Sequence, residues 1–524
     1  MDSVQVVSFR LPIFQGNLHL EVPVLFPSRF MPKTLKSLFL PLAAGFAACL
    51  ALAGPASAQG AGSAPGVQGP PGFSQLLVPA TPFKWSTTSH LGPVQIPIPG
   101  QYGWFLLKGL NLEARAVPSL TGDPTVEVLF APPASGHPTK AERITFQFPL
   151  DPASIPGSGA LVIAFHSYSV SEKDIWINTQ LAQICKERGW LLVAPYGMVD
   201  THYGNFESQL SLDNVLSTVG KFFHWDPQRV YTVGFSMGGG AALSYSMRHL
   251  QSGRTQIAGV VNHTGTQDLV DVYNKGNIAV KQMLINDSHF HGPPTTEDGA
   301  YAYKRVSPSI FTGGALDPDF TPVRNLAHLP IYTFVNLDDP QTNLVADNLA
   351  VSSYLQGQGV NVNLATAHKG AIHAWSTLDL DAALNWISGY SLPADPLAAT
   401  VFADLQGQYF GTNVRQKPLQ RIAYYEFSAD SPTNSFHVDN TRDLDSLVLD
   451  LPALGLNPAL ALGGSWSSQE TIGDELVLSG YTTAPTQVLM NGMPSTTWTF
   501  EPILGEVVIP IPAGPTSGLL LIMP

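Results

Sequence analysis

A serine between two glycines is the first feature of this sequence that could carry chemistry. The stretch VGFSMGG places Ser236 between Gly234 and Gly238, after an apolar run and before a helical pattern. Glycines on both sides remove the β-carbons that would collide in a tight strand-to-helix turn. Such a turn projects the hydroxyl at a helix N-terminus, where backbone N–H groups stabilise negative charge. We therefore predict that Ser236 is a nucleophile and that the N–H of Met237 is an oxyanion donor.

A serine nucleophile needs a general base and a carboxylate that orients the base. In this arrangement both follow the serine along the chain, the acid first and the histidine second. The segment FVNLDDP offers Asp338 and Asp339 after a predicted strand, and we favour Asp339. The segment before the last predicted helix offers His368 and His373, and we favour His373 because small residues flank it.

The second oxyanion donor is expected in the loop after the apolar run ALVIAFH, residues 160–166. We predict the backbone N–H of Tyr168, with that of Ser167 as the alternative, and interpret His166 as structural. Trp375 follows the predicted base by two positions. It would either form the floor of the substrate site or pack beside the last helix.

The elements that must position these residues alternate between strands and helices. Continuous apolar runs at residues 160–166, 190–197 and 229–236 indicate strands buried on both faces, as in parallel sheets. Helical patterns separate them, which predicts right-handed crossovers in an α/β core over residues 157–392. Residues 265–324 interrupt this rhythm and are predicted to be an insertion that sets substrate specificity.

Both flanks of this core are predicted to be β-rich. Short proline-broken strands indicate an N-terminal β unit at residues 73–156, and strands separated by turns indicate a C-terminal β-sandwich at residues 395–524. Five aromatic residues of the C-terminal region would form the sandwich core, which we favour, or a polymer-binding face: Tyr409, Tyr424, Tyr425, Trp466 and Trp498.

Residues 31–58 contain the three parts of a secretory signal peptide: lysines, an apolar run and an A-x-A cleavage site that ends at Ala58. This segment begins with methionine, so residues 1–30 are expected to be a start-site extension. A Gly/Pro linker follows at residues 59–72. We expect a chain that is secreted or periplasmic after cleavage near Ala58, with no stable membrane span in its mature part. An uncleaved anchor and a lipidated Cys49 are the alternatives.

Three motifs resemble those of a known group of proteins. WDPQRVYTVGFSMGGGAALSYS resembles the nucleophile region of the secreted polyhydroxybutyrate depolymerase and feruloyl esterase group of α/β-hydrolases. GAIHAW resembles their G-x-x-H-x-W motif, and VNLDDP resembles their G-x-x-D-P acid loop, with Asn336 where glycine is usual. The resemblance covers residues 158–392, implies an α/β-hydrolase core and makes Asp339 the acid. The sequence departs from this group in two ways: His166-Ser167 stands where His-Gly is usual, and the cysteines that often form disulfides in secreted members are absent. Prolyl-oligopeptidase-type peptidases share much of the same pattern.

Composition and motifs also exclude several functions. A net charge of −13 argues against nucleic acid or an anionic membrane surface as partner. His289 and His291 lack a third ligand at suitable spacing, and residues 439–450 lack the glycine and final glutamate of a calcium-binding loop. Cys185 lies in a helical pattern and is expected to be buried. We therefore expect no metal and no cofactor.

These features together predict an enzyme, a secreted serine hydrolase that cleaves carboxylic esters of a polyester or an acylated polymer through an acyl-enzyme. The alternative is a prolyl-oligopeptidase-type serine peptidase, but the roughly 80 residues before the core are too few for a β-propeller. A third hypothesis is a non-catalytic binding protein on the same scaffold, against which the complete set of triad candidates argues. The acyl group, the alcohol and the oligomeric state stay open.

Overall fold

The structure is a computed structural model that describes ten segments of the chain: residues 4–12, 19–27, 105–107, 112–117, 125–130, 142–147, 159–219, 225–251, 255–469 and 474–524. The chain divides into two compact units, Met1–Val67 and Gln68–Pro524. In the first unit, strands β1 (Val4–Pro12) and β2 (His19–Pro27) pair antiparallel as a hairpin. The predicted signal peptide and linker lie outside the described residues.

A ten-stranded sheet forms the centre of the second unit. Six strands run parallel in the spatial order β14 (Val362–Ala367), β13 (Ile331–Asn336), β10 (Gly259–His263), β9 (Val230–Phe235), β7 (Leu161–Phe165) and β8 (Leu191–Pro195). Four antiparallel strands continue the sheet in the order β6 (Glu142–Gln147), β5 (Thr125–Phe130), β4 (Leu112–Val117) and β3 (Phe105–Leu107). The described strands of the predicted N-terminal β unit are therefore part of the central sheet.

Both faces of this sheet are buried. In β7, Leu161, Ile163 and Phe165 pack into one apolar cluster, whereas Val162 and Ala164 pack into another. Successive side chains of a strand point to opposite faces, so a strand covered on both sides needs an uninterrupted apolar run. The α/β core with helices on both faces is confirmed.

The helices divide between the two faces of the sheet. One face is covered by α3 (Phe206–Val219), α4 (Met237–Ser246) and α8 (Thr342–Gly357), and the other by α1 (Asp174–Ile177), α2 (Leu181–Glu187) and α9 (Leu380–Ile387). Cys185 lies on α2 and is fully buried, as expected. In the part of the chain that the structure describes, no helix is both long enough and apolar enough to cross a membrane.

Residues 265–324, the predicted insertion, connect β10 to β13. They contain α5 (Leu269–Lys275), α6 (Ile278–Asn286), α7 (Glu297–Val306), the hairpin of β11 (Phe311–Thr312) and β12 (Ala315–Leu316), and 3₁₀ turns at Ser288–Phe290 and Pro322–Leu326. A separate apolar cluster joins these helices to Tyr203 and Met237 of the core. The insertion is therefore packed onto the core beside the serine turn.

Two β-sheets form the C-terminal region. One has seven strands in the order β15 (Ala398–Ala403), β18 (Ala423–Asp430), β19 (Ser435–Arg442), β21 (Leu462–Ser468), β27 (Thr516–Met523), β23 (Gln487–Met490) and β24 (Met493–Pro494). The other has six in the order β16 (Gly407–Tyr409), β17 (Thr412–Gln416), β20 (Ser446–Asp450), β22 (Asp474–Ser479), β26 (Glu506–Ile511) and β25 (Thr499–Glu501). Apolar residues from both sheets share one core, which makes this region a β-sandwich.

The C-terminal aromatic residues belong mainly to the interior of this sandwich. Tyr409, Tyr425 and Trp466 lie in its core and are at most 5% exposed. Tyr424 is also buried, and Trp498 packs against the core while partly exposed. The interpretation of these residues as core, rather than as a polymer-binding face, agrees with their burial.

A buried ion cluster joins the sandwich to the α/β core. The carboxylate of Asp404, which follows β15, pairs with the guanidinium groups of Arg248 and Arg305, the latter on α7. Burial alone would raise the pKa of the Asp404 carboxyl, but the two arginines hold that pKa below its ordinary value. Asn325 adds a reciprocal pair of hydrogen bonds with the backbone of Phe402, of 2.9 and 2.8 Å.

Helix α4 lies so close to the sheet that side chains cannot fit between them. A β-carbon on Gly234 would lie 2.0 Å from the carbonyl oxygen of Gly238, and one on Gly238 would lie 2.1 Å from the carbonyl oxygen of Phe165. Both obstacles are backbone atoms of buried elements, which cannot move without displacing a strand or the helix. The glycines that flank Ser236 are therefore required by packing.

We expect Gly238→Ala to lower the free energy of unfolding by at least about 3 kcal/mol, because the added methyl collides with the β7 backbone. Gly357→Ala, near the end of α8, is the matched control, since nothing lies within 4 Å of the position that its added methyl would occupy. This control should be neutral or slightly stabilising. Urea unfolding of both variants measures the difference, and equal stabilities would contradict the steric account.

Candidate active site

Ser236 occupies a strained turn between β9 and α4. Its φ of 56° and ψ of −121° are rare for any residue other than glycine. Its backbone N–H donates to the carbonyl oxygen of His263 at 3.0 Å, and the residue is 9% exposed. The strain is retained because the surrounding strand and helix fix the backbone on both sides. The hydroxyl is thereby held at the carboxyl edge of the parallel strands.

His373 and Asp339 complete a hydrogen-bonded chain with this serine. The Nε2 atom of His373 lies 2.8 Å from Ser236 Oγ, and its Nδ1 lies 2.7 Å from Asp339 Oδ2. The other carboxylate oxygen of Asp339 accepts from the backbone N–H of Gln341 at 2.8 Å. The Asp339 side chain is 2% exposed, so its charge is shielded from solvent. This geometry orients the imidazole with Nδ1–H toward the carboxylate and Nε2 toward the hydroxyl.

The two alternative candidates form a separate pair nearby. His368 Nδ1 lies 2.8 Å from Asp338 Oδ1, and the His368 side chain is 73% exposed. The imidazole of His368 and the backbone N–H of Gly370 both lower the pKa of the Asp338 carboxyl. Asp338 and His368 thus contact each other, whereas Asp339 and His373 contact Ser236 in sequence.

Asn336, the last residue of β13, holds the loop that carries His373. Its side-chain amide donates to the carbonyl oxygens of Gly370 at 3.0 Å and Ile372 at 2.9 Å. Its side-chain oxygen accepts from the backbone N–H of Lys369 at 3.0 Å. A glycine at this position could make none of these contacts. The departure from glycine noted in the sequence was the one signal that could have identified this residue.

A buried aromatic layer lies behind the imidazole of His373. The ring of Phe235 lies 4.4 Å from the ring of His373 and 4.5 Å from that of His263, measured between centroids. Burial, with a smaller contribution from His373, lowers the pKa of His263 to about 3, so His263 is neutral at ordinary pH. Trp375 is 4% exposed and packs against Phe235, so it is a packing residue of this layer.

The loop after β7 lies beside the serine, as predicted for a second oxyanion donor. Ser167 and Tyr168 line the same cavity as Ser236 and Met237. The buried ring of His166 contacts the carbonyl oxygens of Ser167 at 2.8 Å and, through its other nitrogen, of Tyr196 at 2.9 Å. These contacts fix the start of the loop, which agrees with a structural role for His166.

The cavity has a volume of about 680 Å³ and opens onto the serine and histidine. The core contributes its floor: Ser167, Tyr168, Tyr203, Phe235 and Met237. Residues from Thr266 to α6 and at the start of α8 contribute its walls: Thr266, Val272, Lys275, Gly276, Asn277, Val280, Gln341, Asn343 and Leu344. The rings of Tyr168 and Tyr203 lie 6.0 Å apart. The predicted insertion thus supplies six of the sixteen residues that line the cavity.

The overall similarity of this chain to known proteins is weak. No protein-family model and no curated protein matches this chain. Among solved structures, the chain is similar to FphF, a fluorophosphonate-binding serine hydrolase of Staphylococcus aureus (16% identity, 50% of this chain and 98% of that chain, TM-score 0.38). It is also similar to an acetyl xylan esterase from Paenibacillus sp. R4 (14% identity, 54% and 90%, TM-score 0.37).

The strand order, the helices on both faces and the strained turn after β9 define the α/β-hydrolase fold. The prediction of this fold is confirmed. A fold of this kind supports many activities, so the function proposed below rests on the geometry of the site.

Three carboxylates lie beside one wall of the cavity. Asp268 caps α5 by accepting from the backbone N–H groups of Val270 and Asp271, and Asp271 pairs with Lys275 at 2.8 Å. Asp347 of α8 is 7% exposed. Burial, followed by repulsion from Asp271, raises the pKa of the Asp347 carboxyl to about 7. This carboxyl therefore keeps its proton in the folded chain under mildly acidic conditions.

We expect Asp347→Asn to stabilise the protein more at pH 8 than at pH 5, with a difference between the two of about 1 to 3 kcal/mol. In the unfolded chain this carboxyl loses its proton near pH ~4, but in the folded chain only near pH 7. The free energy of unfolding of the wild type therefore falls as pH rises through this window. The variant lacks this pH dependence, because its side-chain amide does not ionise. Urea unfolding from pH 5 to 8 provides the measurement, and parallel curves for the two proteins would refute it.

Proposed function

We propose that this protein is a serine hydrolase that cleaves carboxylic esters. The observation that carries the proposal is the hydrogen-bonded chain from Asp339 through His373 to Ser236, at the edge of a cavity. The strained backbone of Ser236 supports it, because such strain concentrates at functional sites. A non-catalytic binding protein would have no need of this alignment.

In the proposed mechanism, Ser236 Oγ attacks the ester carbonyl carbon while its proton passes to His373 Nε2. The carboxylate of Asp339 keeps the other imidazole proton on Nδ1 and stabilises the imidazolium. Backbone N–H groups of Met237 and Tyr168 donate to the tetrahedral oxyanion, each contributing about 3–4 kcal/mol to the transition state. The alcohol leaves with the proton from His373, and water hydrolyses the acyl-enzyme by the same steps.

The charge of the cavity wall favours an ester over a peptide with a free N-terminus. Among the described residues that line the cavity, the ionisable side chains are Tyr168, Tyr203, Lys275 and His373, and none is a carboxylate. A protonated amine is recognised by a carboxylate, and these lining residues include none; the ammonium group of Lys275 is itself paired with Asp271. An exopeptidase of the prolyl-oligopeptidase type is therefore the weaker candidate.

The finer proposal is that the ester belongs to a polyester or an acylated polymer. Exposed apolar side chains occur in the three loops that carry the proposed catalytic groups: Tyr168 is 37%, Leu337 38% and Ile372 43% exposed. Such a rim could rest on an apolar polymer without burying a charge. The resemblance of the serine, acid and histidine motifs to polyester and feruloyl ester hydrolases supports the same substrate class.

We further propose that the protein is exported, with cleavage after Ala58. The predicted signal peptide carries this proposal, and it lies outside the described residues. Expression in a bacterial host and Edman sequencing of the exported protein should give an N-terminus at Gln59. A protein that stays with the cells and keeps residues 31–58 would show that this segment is not a cleaved export signal.

The central test is hydrolysis of p-nitrophenyl butyrate by the wild type and Ser236→Ala. We expect the variant to lose at least about 10⁴-fold in kcat, because no other group replaces the nucleophile. His373→Gln should lose a similar factor, whereas His368→Gln, which changes the exposed histidine of the separate pair, should stay within about twofold.

Two outcomes would overturn parts of the proposal. Turnover by Ser236→Ala at the wild-type rate would remove the assigned nucleophile. Faster hydrolysis of aminoacyl p-nitroanilides than of esters would replace the esterase with the peptidase. A polyester emulsion in the same panel tests the polymeric substrate, and its resistance to the active enzyme would limit the function to soluble esters.

A further inference from the structure

Asp174 is a buried carboxylate that contacts two separate loops of the candidate site. It is the first residue of α1 and is 6% exposed. Its Oδ2 atom accepts from the indole Nε1–H of Trp375 at 2.9 Å and from the hydroxyl of Ser167 at 3.4 Å. Its Oδ1 atom accepts from the side-chain amide of Asn178 at 2.6 Å. All three partners are neutral donors.

The two loops in contact with Asp174 carry different proposed catalytic groups. Trp375 follows His373 by two residues and opens the 3₁₀ turn Trp375–Thr377. Ser167 directly precedes Tyr168, whose backbone N–H is the proposed oxyanion donor. The bond between Asp174 and Trp375 joins residues that are 201 positions apart in the chain. One carboxylate therefore connects the loop of the base to the loop of the oxyanion donor.

The charge of Asp174 makes this connection stiff. A buried carboxylate is costly unless donors surround it, and hydrogen bonds to a charged group are stronger than those between neutral groups. Within the described segments of the chain, no cation pairs with Asp174, so these neutral donors carry the stabilisation. A shift of either loop would leave the carboxylate short of a donor, and the positions of the two loops are thus coupled.

We propose that Asp174 is a positioning residue that sets the distance between the imidazole of His373 and the oxyanion donor at Tyr168. This inference rests on the proposed function. The transition state needs both groups at once, with hydrogen-bond distances of about 3 Å, whereas ground-state binding uses the cavity walls supplied by α5 and α6. Loss of the connection therefore lowers kcat and leaves KM nearly unchanged.

The test compares Asp174→Asn with a matched buried carboxylate, using the full chain and p-nitrophenyl butyrate. The control is Asp474→Asn in the sandwich, since Asp474 is 7% exposed and accepts from the hydroxyls of Thr441 and Ser468, each at 3.0 Å. Asp174→Asn should lower the melting temperature, because it leaves three donors without a charged acceptor. Asp174→Asn should also lower kcat by about 10- to 100-fold with KM within about threefold, while Asp474→Asn should keep kcat within about twofold.

A double-mutant cycle identifies the path of the effect. Trp375→Phe keeps an aromatic ring, although a smaller one, and removes the indole N–H, so it should reproduce most of the loss in kcat. The double variant Asp174→Asn/Trp375→Phe should be no more than about twofold slower than Asp174→Asn alone, because both changes break the same bond. If the double variant instead lost kcat by the product of the two single factors, Asp174 would not act through Trp375.

The outcomes separate this proposal from the function on which it rests. If the wild type is active, Ser236→Ala is inactive and Asp174→Asn keeps its kcat, the positioning role is wrong and the esterase stands. If the wild type hydrolyses no ester, the proposed function fails and the positioning role fails with it. If Asp174→Asn does not fold, Trp375→Phe alone decides, and an unchanged kcat in that variant overturns the proposal.

Discussion

The contact between the backbone of α4 and the backbones of the central strands is the constraint on which the other features depend. It brings Gly238 against the carbonyl oxygens of Phe165 and His166, at the end of β7. The next two glycines make equally close approaches: β-carbons on Gly239 and Gly240 would lie 2.6 Å from Gly265 Cα and 2.4 Å from Thr266 O. The same helix therefore fixes Ser236, the start of the loop after β7 and the point where the insertion leaves the sheet.

Polar side chains, rather than regular secondary structure, hold the histidine loop in place. Asn336 binds its backbone at three positions, Asp338 accepts from the N–H of Gly370, and Asp339 accepts from the imidazole of His373. Asp174 binds the loop at its far end through Trp375. A loop outside regular secondary structure must find other hydrogen-bond partners for its backbone N–H and C=O groups. Here most of these partners come from the end of β13. The imidazole is thus positioned by short side chains of low conformational entropy.

Local patterns predicted the parts of the site that depend on neighbouring residues. The serine turn could be identified because its glycines, its apolar strand and its helix are contiguous in sequence. The choice between Asp338 and Asp339 could not be derived from the residues alone, because adjacent side chains after a strand point in different directions and only the fold shows which one meets His373. Asp174 was not predicted at all, since nothing local to it indicates a partner on a loop 201 positions away.

The prediction of secondary structure was limited in the same way, because sequence patterns report on neighbouring residues and not on long-range contacts. A helical pattern separates the apolar runs at residues 160–166 and 190–197, but it does not show that two helices, α1 and α2, form there. The hydroxyl of Thr179 donates to the carbonyl oxygen of Ile175 and accepts from the N–H of Leu181, which replaces helical backbone hydrogen bonds between the two helices. The apolar alternation of β3–β6 indicated strands correctly, but alternation carries no information about the sheet that a strand joins. Their membership of the central sheet follows from the long-range pairing of β6 with β8.

The ion cluster at Asp404 has a consequence for how the chain unfolds. Its two arginines come from the α/β core and from α7 of the insertion, and its carboxylate comes from the sandwich. Separating the sandwich would break both ion pairs of Asp404 and expose their charged groups to water. Melting of one region therefore removes stability from the other, so that heat should unfold them in one cooperative transition. The protein would therefore tolerate a cut in the segment between α9 and β15 better than the removal of either half.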